Sequence, residues 1–203
     1  MPNEIEIKFR ANDLHVLTRA LKQAGFKRLT RSTHETNSLY DLPGQKLRKR
    51  GDMLRLRKYG ETWTLTHKGK HTLAHRTRKN AAPEIGRHKV RVELETRVEN
   101  GSQMDAILRA LGFVPTFRYE KFRAEWSDGR GHVVLDETPI GNFGEIEGPP
   151  RWIDRTARAL GISQSDYITQ TYAPMFFEWK RRTRSAATEM TFRAVGVKRR
   201  KSG

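Results

Sequence analysis

Charged and apolar residues alternate along several short segments of this chain. Near the N-terminus, Ile5 and Ile7 separate Glu4, Glu6 and Lys8. Further segments with this alternation lie at 55–57, 64–68, 91–95, 121–125, 133–136 and 145–147. Because successive side chains of a strand point to opposite faces, each segment predicts a strand with one ionic and one apolar face.

A helical spacing of apolar residues predicts helices between some of these strands. Asp13 precedes one such segment and Gly25 follows it, as expected for a capped helix. Ser102 and Asp105 form a capping-box pattern at the start of a second helix, which Gly112 ends. Since segments 4–26 and 91–113 align on each other, the chain contains an internal strand–helix–strand repeat, which favours one pseudo-symmetric domain.

The C-terminal part predicts two more helices and then an irregular segment. Residues 152–160 predict one helix, and 165–180 a second that is broken at Pro174, which cannot donate a backbone hydrogen bond. Residues 180–203 carry scattered apolar residues and end in a basic run. We therefore predict a folded domain over 1–179 and a basic, disordered tail over 180–203.

The predicted ionic faces carry acids and bases in balance. They contain Glu4, Glu6, Glu93, Glu95, Asp136, Glu145 and Glu147, and Lys8, Arg55, Arg57, Lys68, Arg91, Lys121 and Arg123. A plain antiparallel sheet with its charged face in water would explain any one strand. The recurrence of the pattern favours instead a closed barrel of about eight strands, with a polar lumen inside and helices over the apolar outer faces.

Net charge adds a second basic segment to this picture. The 203 residues include 40 Lys and Arg against 23 Asp and Glu, a formal net charge of +17, and only 35% are hydrophobic. Residues 180–203 contribute +8 and residues 67–91 contribute +7, so the remainder is nearly neutral. The stretch 69–88 shows neither a strand nor a helix period, and we predict a long mobile loop there.

Composition also excludes several classes of protein. The absence of cysteine excludes disulfides, a thiolate nucleophile and a zinc–cysteine site. No apolar run approaches the roughly 18 residues of a membrane helix, and the first residues lack a signal-peptide pattern, so we expect a cytoplasmic protein. His67, His71, His75 and His88 belong to the basic segment 67–91, where a soft-metal site is not expected.

The alternating charges themselves suggest phosphate chemistry. Bases crowded into a lumen repel one another unless an anion lies among them. Carboxylates two apart on a strand, as in Glu4 and Glu6, provide hard oxygen ligands for Mg²⁺ or Mn²⁺. Bases and a divalent cation together neutralise the charge that develops in phosphoryl transfer.

Seven motifs follow one another in order over about residues 3–177. The first, Glu4-Ile5-Glu6-Ile7-Lys8, resembles the Glu-x-Glu-x-Lys signature of the CYTH superfamily, the triphosphate tunnel metalloenzymes. The other matching elements, in family order, are Tyr40-Asp41, Leu54-Arg55-Leu56-Arg57, Leu65-Thr66-His67-Lys68-Gly69, Arg91-Val92-Glu93-Leu94-Glu95, Glu120-Lys121-Phe122-Arg123, and Leu135-Asp136 with Gly141-Asn142-Phe143-Gly144-Glu145-Ile146-Glu147.

The resemblance implies an α+β fold, an eight-stranded antiparallel closed barrel that binds a triphosphate with Mg²⁺ or Mn²⁺. It implies metal ligation by Glu4, Glu6, Glu145 and Glu147, with Asp136 and Glu95 as further candidates. It implies catalytic roles for Glu4, Glu6 and Lys8. The phosphate-binding bases that it implies are Lys8, Arg55, Arg57, Lys68, Arg91, Lys121 and Arg123. For Tyr40 and Tyr172 we expect packing roles.

Three functions remain open from the sequence. The first is metal-dependent hydrolysis of tripolyphosphate, a nucleoside triphosphate or thiamine triphosphate, which we favour because no adenine-reading motif is evident. The second is the class IV adenylate cyclase reaction, which converts ATP to cyclic AMP and pyrophosphate. The third is a non-catalytic module that binds polyphosphate or RNA through the basic loop and tail, although those segments lack interleaved aromatics. Otherwise we expect only weak electrostatic contact with nucleic acid, no membrane partner, and a monomer or homodimer.

Overall fold

Eight antiparallel strands close into a barrel. A computed structural model describes residues 3–69 and 89–197, with side chains over 5–69 and 92–197. The strands are β1 (Asn3–Arg10), β2 (Lys27–Asp41), β3 (Met53–Tyr59), β4 (Thr62–Gly69), β5 (Lys89–Val98), β6 (Val114–Ser127), β7 (His132–Thr138) and β8 (Gly141–Glu147). Their order around the barrel is β1-β5-β4-β3-β2-β6-β7-β8, and β8 pairs with β1. The predicted closed barrel is confirmed, and the plain sheet is wrong.

The internal repeat is built into the strand pairing. The first copy comprises β1, α1 (Leu14–Gln23) and β2, and the second comprises β5, α3 (Gly101–Ala110) and β6. Equivalent strands are antiparallel neighbours, β1 with β5 and β2 with β6. Glu4 even lies opposite Arg91, its own counterpart in the repeat. A local twofold axis between the copies produces this pairing, so the repeat forms one pseudo-symmetric domain.

The hydrophobic core lies outside the barrel wall, as the strand pattern predicts. Helices α1 and α4 (Pro150–Ala159) pack their apolar faces on the outward side chains of β1, β7 and β8. Ile7, Leu21, Val133, Ile146 and Ile153 meet there and are fully buried. The interior of the barrel is thereby left to polar side chains.

The first three predicted helices are present, and one of their two predicted N-terminal caps is confirmed. Asp13 caps α1, since its carboxylate accepts the backbone N–H groups of His15 and Val16. The predicted capping box at Ser102 is wrong: Asn100 caps α3 by accepting the N–H of Gln103, and the helix begins one residue before Ser102. The predicted helix at 152–160 is confirmed as α4.

A short helix that the sequence pattern did not predict, α2 (Lys46–Arg50), follows β2. The Asp41 carboxylate accepts the backbone N–H groups of Leu47 and Arg48 at 2.8 and 3.0 Å. The Asp41 carboxylate therefore provides hydrogen-bond acceptors for the first turn of this helix.

The predicted helix over 165–180 is shorter and shifted. A single 3-10 turn spans Gln164–Asp166, and α5 runs over Tyr172–Thr183. Pro174 lies in the first turn of α5 and does not break it, because the first backbone N–H groups of a helix need no partner within the helix.

The prediction of a disordered tail is wrong for residues 180–197. After α5 the chain runs back along β6, with Met190 bridging to Tyr119, and ends in α6 (Phe192–Val195). Met190 is fully buried, and the Glu120 carboxylate accepts the N–H of Phe192. Single apolar residues without a helical period are enough to hold this segment in place, because they pack on the apolar outer surface of the barrel wall.

Two predicted segments fall largely or partly outside the described residues: the loop 69–88, of which only Gly69 is described, and the last six residues of the tail, 198–203. Over residues 3–69 and 89–197, none of the helices is long and apolar enough to cross a membrane.

Candidate active site

The inward side chains of the barrel surround a cavity of about 750 Å³. The predicted site residues in its lining are Glu6, Lys8, Arg55, Arg57, Lys68, Glu95, Lys121, Arg123, Glu145 and Glu147. Asp136 lies behind this lining and is fully buried. Glu4 and Arg91 are described by their backbone alone, which places them opposite each other on β1 and β5. The structure thus brings together the charges that the sequence scatters over seven strands.

Asp136 on β7 is the centre of a first ionic cluster, formed with Lys8, Lys121, Arg123 and Glu145. Lys121 Nζ donates to Asp136 Oδ2 at 2.9 Å. Arg123 donates to both carboxylate oxygens at 2.7 Å. The hydroxyl of Tyr172, the first residue of α5, donates to Oδ2 at 2.6 Å. Asp136 therefore orients two bases and a tyrosine, and its oxygens are committed to these donors.

Glu145 on β8 joins two strands of the same cluster. Lys8 Nζ donates to its Oε1 and Arg123 Nη2 to its Oε2, each at 2.5 Å. Burial acts to raise the pKa of Glu145, but Arg123 and Lys8 outweigh it and hold that pKa well below its usual value. Burial likewise acts to lower the pKa of Lys8, and Glu145 and Glu6 raise it instead. Both groups are therefore charged at neutral pH.

Glu35 on β2 is a buried acid that the sequence analysis missed. Its carboxylate lies 3.5 Å from Lys121 Nζ and 3.9 Å from Arg123 Nε, and Asn37 donates to it at 2.9 Å. Burial acts to raise its pKa, but Lys121, Arg123 and Arg55 lower it to about 2. Glu35 thus supplies negative charge on the buried side of Lys121 and Arg123, and both of these bases line the cavity on their other side.

A second ionic cluster lies on β3, β4 and β5 and consists of Arg55, Arg57, Lys68, Glu93 and Glu95. Arg57 Nη2 donates to Glu95 at 3.1 Å, and Lys68 Nζ lies 2.9 Å from Glu93. Arg55 Nη2 lies 3.7 Å from Glu95 and 3.9 Å from Glu93. Each base in this cluster has a carboxylate of β5 beside it, which fixes its direction.

The arrangement of the acids bears on where a divalent cation would fit. Glu6 and Glu147 lie directly opposite each other on β1 and β8, and both line the cavity. Carboxylates on such a pair of residues are within reach of one hard cation. Asp136, Glu145 and Glu95 contact bases of the two ionic clusters, and Glu6 also interacts electrostatically with Lys8. Within the described side chains no three acidic or histidine residues group closely enough to hold a metal. The carboxylates of Glu6 and Glu147 are hard oxygen donors, which is the ligand type that Mg²⁺ and Mn²⁺ prefer. Glu4 belongs to the same strand as Glu6.

Tyr172 is the second residue whose place in the site differs from expectation. It packs, as predicted, but it also lines the cavity and contacts Asp136. Neither Tyr172 nor Glu35 stands in an alternating segment. The stretch of β2 around Glu35 is polar on both faces (Thr33-His34-Glu35-Thr36-Asn37-Ser38), so no period distinguishes its inward residues.

The strands thus form a closed antiparallel barrel with buried bases and carboxylates around a central cavity. The comparison with known families agrees: the model of the CYTH domain matches residues 2–172. The chain therefore belongs to the CYTH domain family.

Individual relatives cover most of the chain. A protein of Methanocaldococcus jannaschii, provisionally named an adenylate cyclase, is 26% identical over 181 residues, which are 83% of this chain and 95% of that protein.

Two solved structures share the fold at 20% identity. One is a protein of Vibrio parahaemolyticus, also provisionally named an adenylate cyclase, with a TM-score of 0.68 over 86% of this chain and 97% of that one. The other is a provisionally named adenylyl cyclase of Hippeastrum, described with a dominant triphosphatase activity, with a TM-score of 0.57 over 86% and 95%.

Proposed function

We propose that this protein hydrolyses a linear triphosphate bound inside the barrel, with Mg²⁺ or Mn²⁺ as cofactor. The observation that carries the proposal is the composition of the cavity lining. Bases of both ionic clusters line the same cavity as the opposed carboxylates of Glu6 and Glu147. A polyanion that arrives with a divalent cation satisfies both sets of charges at once.

The bases of the two ionic clusters would bind the phosphate oxygens. Lys121 and Arg123 are held from behind by Asp136, and Arg57 and Lys68 by Glu95 and Glu93. Arg55 also lines the cavity, and its Nη2 lies 3.7 Å from Glu95, so its guanidinium would donate to a phosphate oxygen. Because these side chains are already oriented, little reorganisation accompanies binding or charge development.

Glu6 and Glu147, with Glu4 beside them, would hold the cation. When bound, it supplies charge neutralisation and Lewis acidity for in-line attack by water on the terminal phosphorus. In that attack an oxygen–phosphorus bond would form from water, which would release a proton to solvent. The bond between the terminal phosphorus and the bridging oxygen would break, and the products would be phosphate and a diphosphate. Lys8, beside Glu145, is placed to stabilise negative charge on the phosphate chain.

The organic part of the substrate has its own candidate surface. Leu39, Met53, Phe117 and Phe177 line the cavity at the end of β6 that precedes Lys121. An apolar surface at this point suits the ring of a nucleotide or of thiamine better than a bare phosphate chain. This surface also keeps the cyclase reaction as a second candidate, as do the names of the relatives from Methanocaldococcus and Vibrio. The triphosphatase activity described for the Hippeastrum protein favours hydrolysis.

A substrate panel tests the proposal. Purified protein is incubated with tripolyphosphate, ATP and thiamine triphosphate, each with Mg²⁺ or Mn²⁺, and phosphate, pyrophosphate and cyclic AMP are measured. Release of phosphate supports hydrolysis, and cyclic AMP with pyrophosphate supports the cyclase. Absence of turnover of all three, together with salt-sensitive RNA binding, would favour the binding module instead.

A variant at Glu147 tests the cation site. Glu147→Gln keeps the shape of the side chain but removes its charge, so we expect turnover to fall by roughly 100-fold or more. Mn²⁺ binding, followed by electron paramagnetic resonance, should weaken in parallel. Glu61→Gln is the matched control, because the side chain of Glu61 is 95% exposed and lies in the β3–β4 turn. Wild-type Mn²⁺ affinity in Glu147→Gln would refute this assignment.

A further inference from the structure

The first turn of α5 reaches the lumen through a single aromatic side chain. The cavity lining includes Thr171, Tyr172, Ala173 and Pro174. Among these four, it is Tyr172 that contacts the first ionic cluster. Its hydroxyl donates to Asp136, and the residue is 6% exposed. The match to the family model ends at this residue, so the helix that carries it lies beyond the matched segment.

The ring of Tyr172 also contacts two lysines of the first ionic cluster. Lys8 Nζ lies 4.5 Å from the ring centroid and Lys121 Nζ lies 5.0 Å from it. Ammonium groups are attracted to the face of an aromatic ring by its quadrupole. One side chain therefore brings together two cations, from β1 and β6, that would otherwise repel each other.

The ring itself is held firmly in place. It packs edge-on against Phe143 at 5.7 Å and at a tilt against Tyr119 at 5.6 Å. Further along α5, Met175 and Phe176 are buried in the same hydrophobic cluster as Met190, which the C-terminal segment contributes. The helix and the segment after it thus fix the position of a side chain inside the lumen.

We propose that Tyr172 is a positioning residue for the phosphate-binding bases: its hydroxyl orients Asp136, and its ring aligns Lys8 and Lys121 towards the substrate. This inference rests on the proposed function. It predicts that Tyr172 determines how tightly a triphosphate binds, because it acts on the bases and not on the reacting atoms.

Two variants separate the hydroxyl from the ring. Tyr172→Phe removes only the hydrogen bond to Asp136, and we expect it to raise KM about tenfold, the effect of one hydrogen bond to a charged group, with kcat within about twofold. Tyr172→Leu also removes the cation–π contacts and should raise KM further. Steady-state kinetics use whichever triphosphate of the panel the wild type hydrolyses fastest, and calorimetry measures the binding of tripolyphosphate directly.

A matched control and a folding measurement complete the test. Tyr167→Phe removes a hydroxyl that contacts Asp154, away from the lumen, and should leave KM unchanged. Met175→Ala should lower the thermal unfolding midpoint through lost packing alone, without the selective rise in KM. Wild-type KM and affinity in Tyr172→Phe would overturn the inference and leave the proposed function intact. Failure of the wild type to bind or turn over any triphosphate would instead overturn the proposed function.

Discussion

Replacement of Glu35 by glutamine removes a negative charge from beneath the lumen bases and leaves the shape of the side chain unchanged. Glu35 is fully buried on β2, within 4 Å of charged nitrogens of Lys121 and Arg123. Asn37 already donates to one of its oxygens. The substitution therefore leaves three buried bases, including Arg55, with less compensating charge.

The expected loss of stability can be worked from the pKa. Burial opposes ionisation of Glu35, but Lys121, Arg123 and Arg55 lower its pKa from 4.5 to about 2. Since one pKa unit corresponds to about 1.4 kcal/mol, the carboxylate stabilises the folded state by about 3 kcal/mol at neutral pH. Because the pKa is lowered on folding, this stabilisation is present above about pH 4.5 and is lost as the pH falls towards 2.

Urea unfolding, followed by tryptophan fluorescence at pH 7, 4 and 3, measures this contribution. The difference in unfolding free energy between wild type and Glu35→Gln should be about 3 kcal/mol at pH 7 and fall to about half or less by pH 3. Glu61→Gln, at an exposed site, should change the unfolding free energy little at any of these pH values. A difference that stays constant between pH 7 and pH 3, or that is below about 1 kcal/mol at pH 7, would refute the electrostatic argument.

Two further predictions concern packing. Met190→Ala should destabilise the protein by about 2–4 kcal/mol, because Met190 of the C-terminal segment is fully buried against the barrel wall, whereas Val197→Ala, at an exposed position, should cost little. Urea titration measures both, and equal effects would show that the segment is not packed as described. Gly144→Ala should destabilise by about 1–3 kcal/mol or more, since an added Cβ would lie 2.1 Å from the Phe9 ring, and the loss should shrink when Phe9→Leu is added. An unchanged unfolding midpoint in Gly144→Ala would contradict that close approach.

The strands with clear alternation are the part of the fold that could be predicted from sequence. Ionic and apolar positions alternate along most of β1 and β5, and over residues 55–57 of β3 and 145–147 of β8, so the face of Lys8, Arg57, Glu95 or Glu145 follows from the period of two. The N-cap of α1 at Asp13, and the glycines with positive φ that follow α1 and α3, Gly25 and Gly112, could likewise be predicted from the local sequence.

Elements whose residues depend on distant partners could not be predicted in this way. The segment after α5 has the composition of a disordered tail, and only the barrel wall beside it makes burial of Met190 favourable. Pro174 predicts a helix break from sequence alone, and only the observed start of α5 at Tyr172 places it in a first turn, where proline is tolerated. The burial of Glu35 could not be predicted from the sequence either, because β2 is polar on both faces around this residue.

The order of the charges along the chain is thus a property of the sequence, and their pairing is a property of the tertiary structure. Alternation alone predicted that bases and carboxylates share one face on seven of the strands, and its recurrence favoured a lumen inside that face. Which acid meets which base depends on strand order and register, which bring residues more than a hundred positions apart, such as Lys8 and Glu145, into contact. For that reason only the closed barrel shows that Asp136 and Glu145 orient bases and that Glu6 lies opposite Glu147.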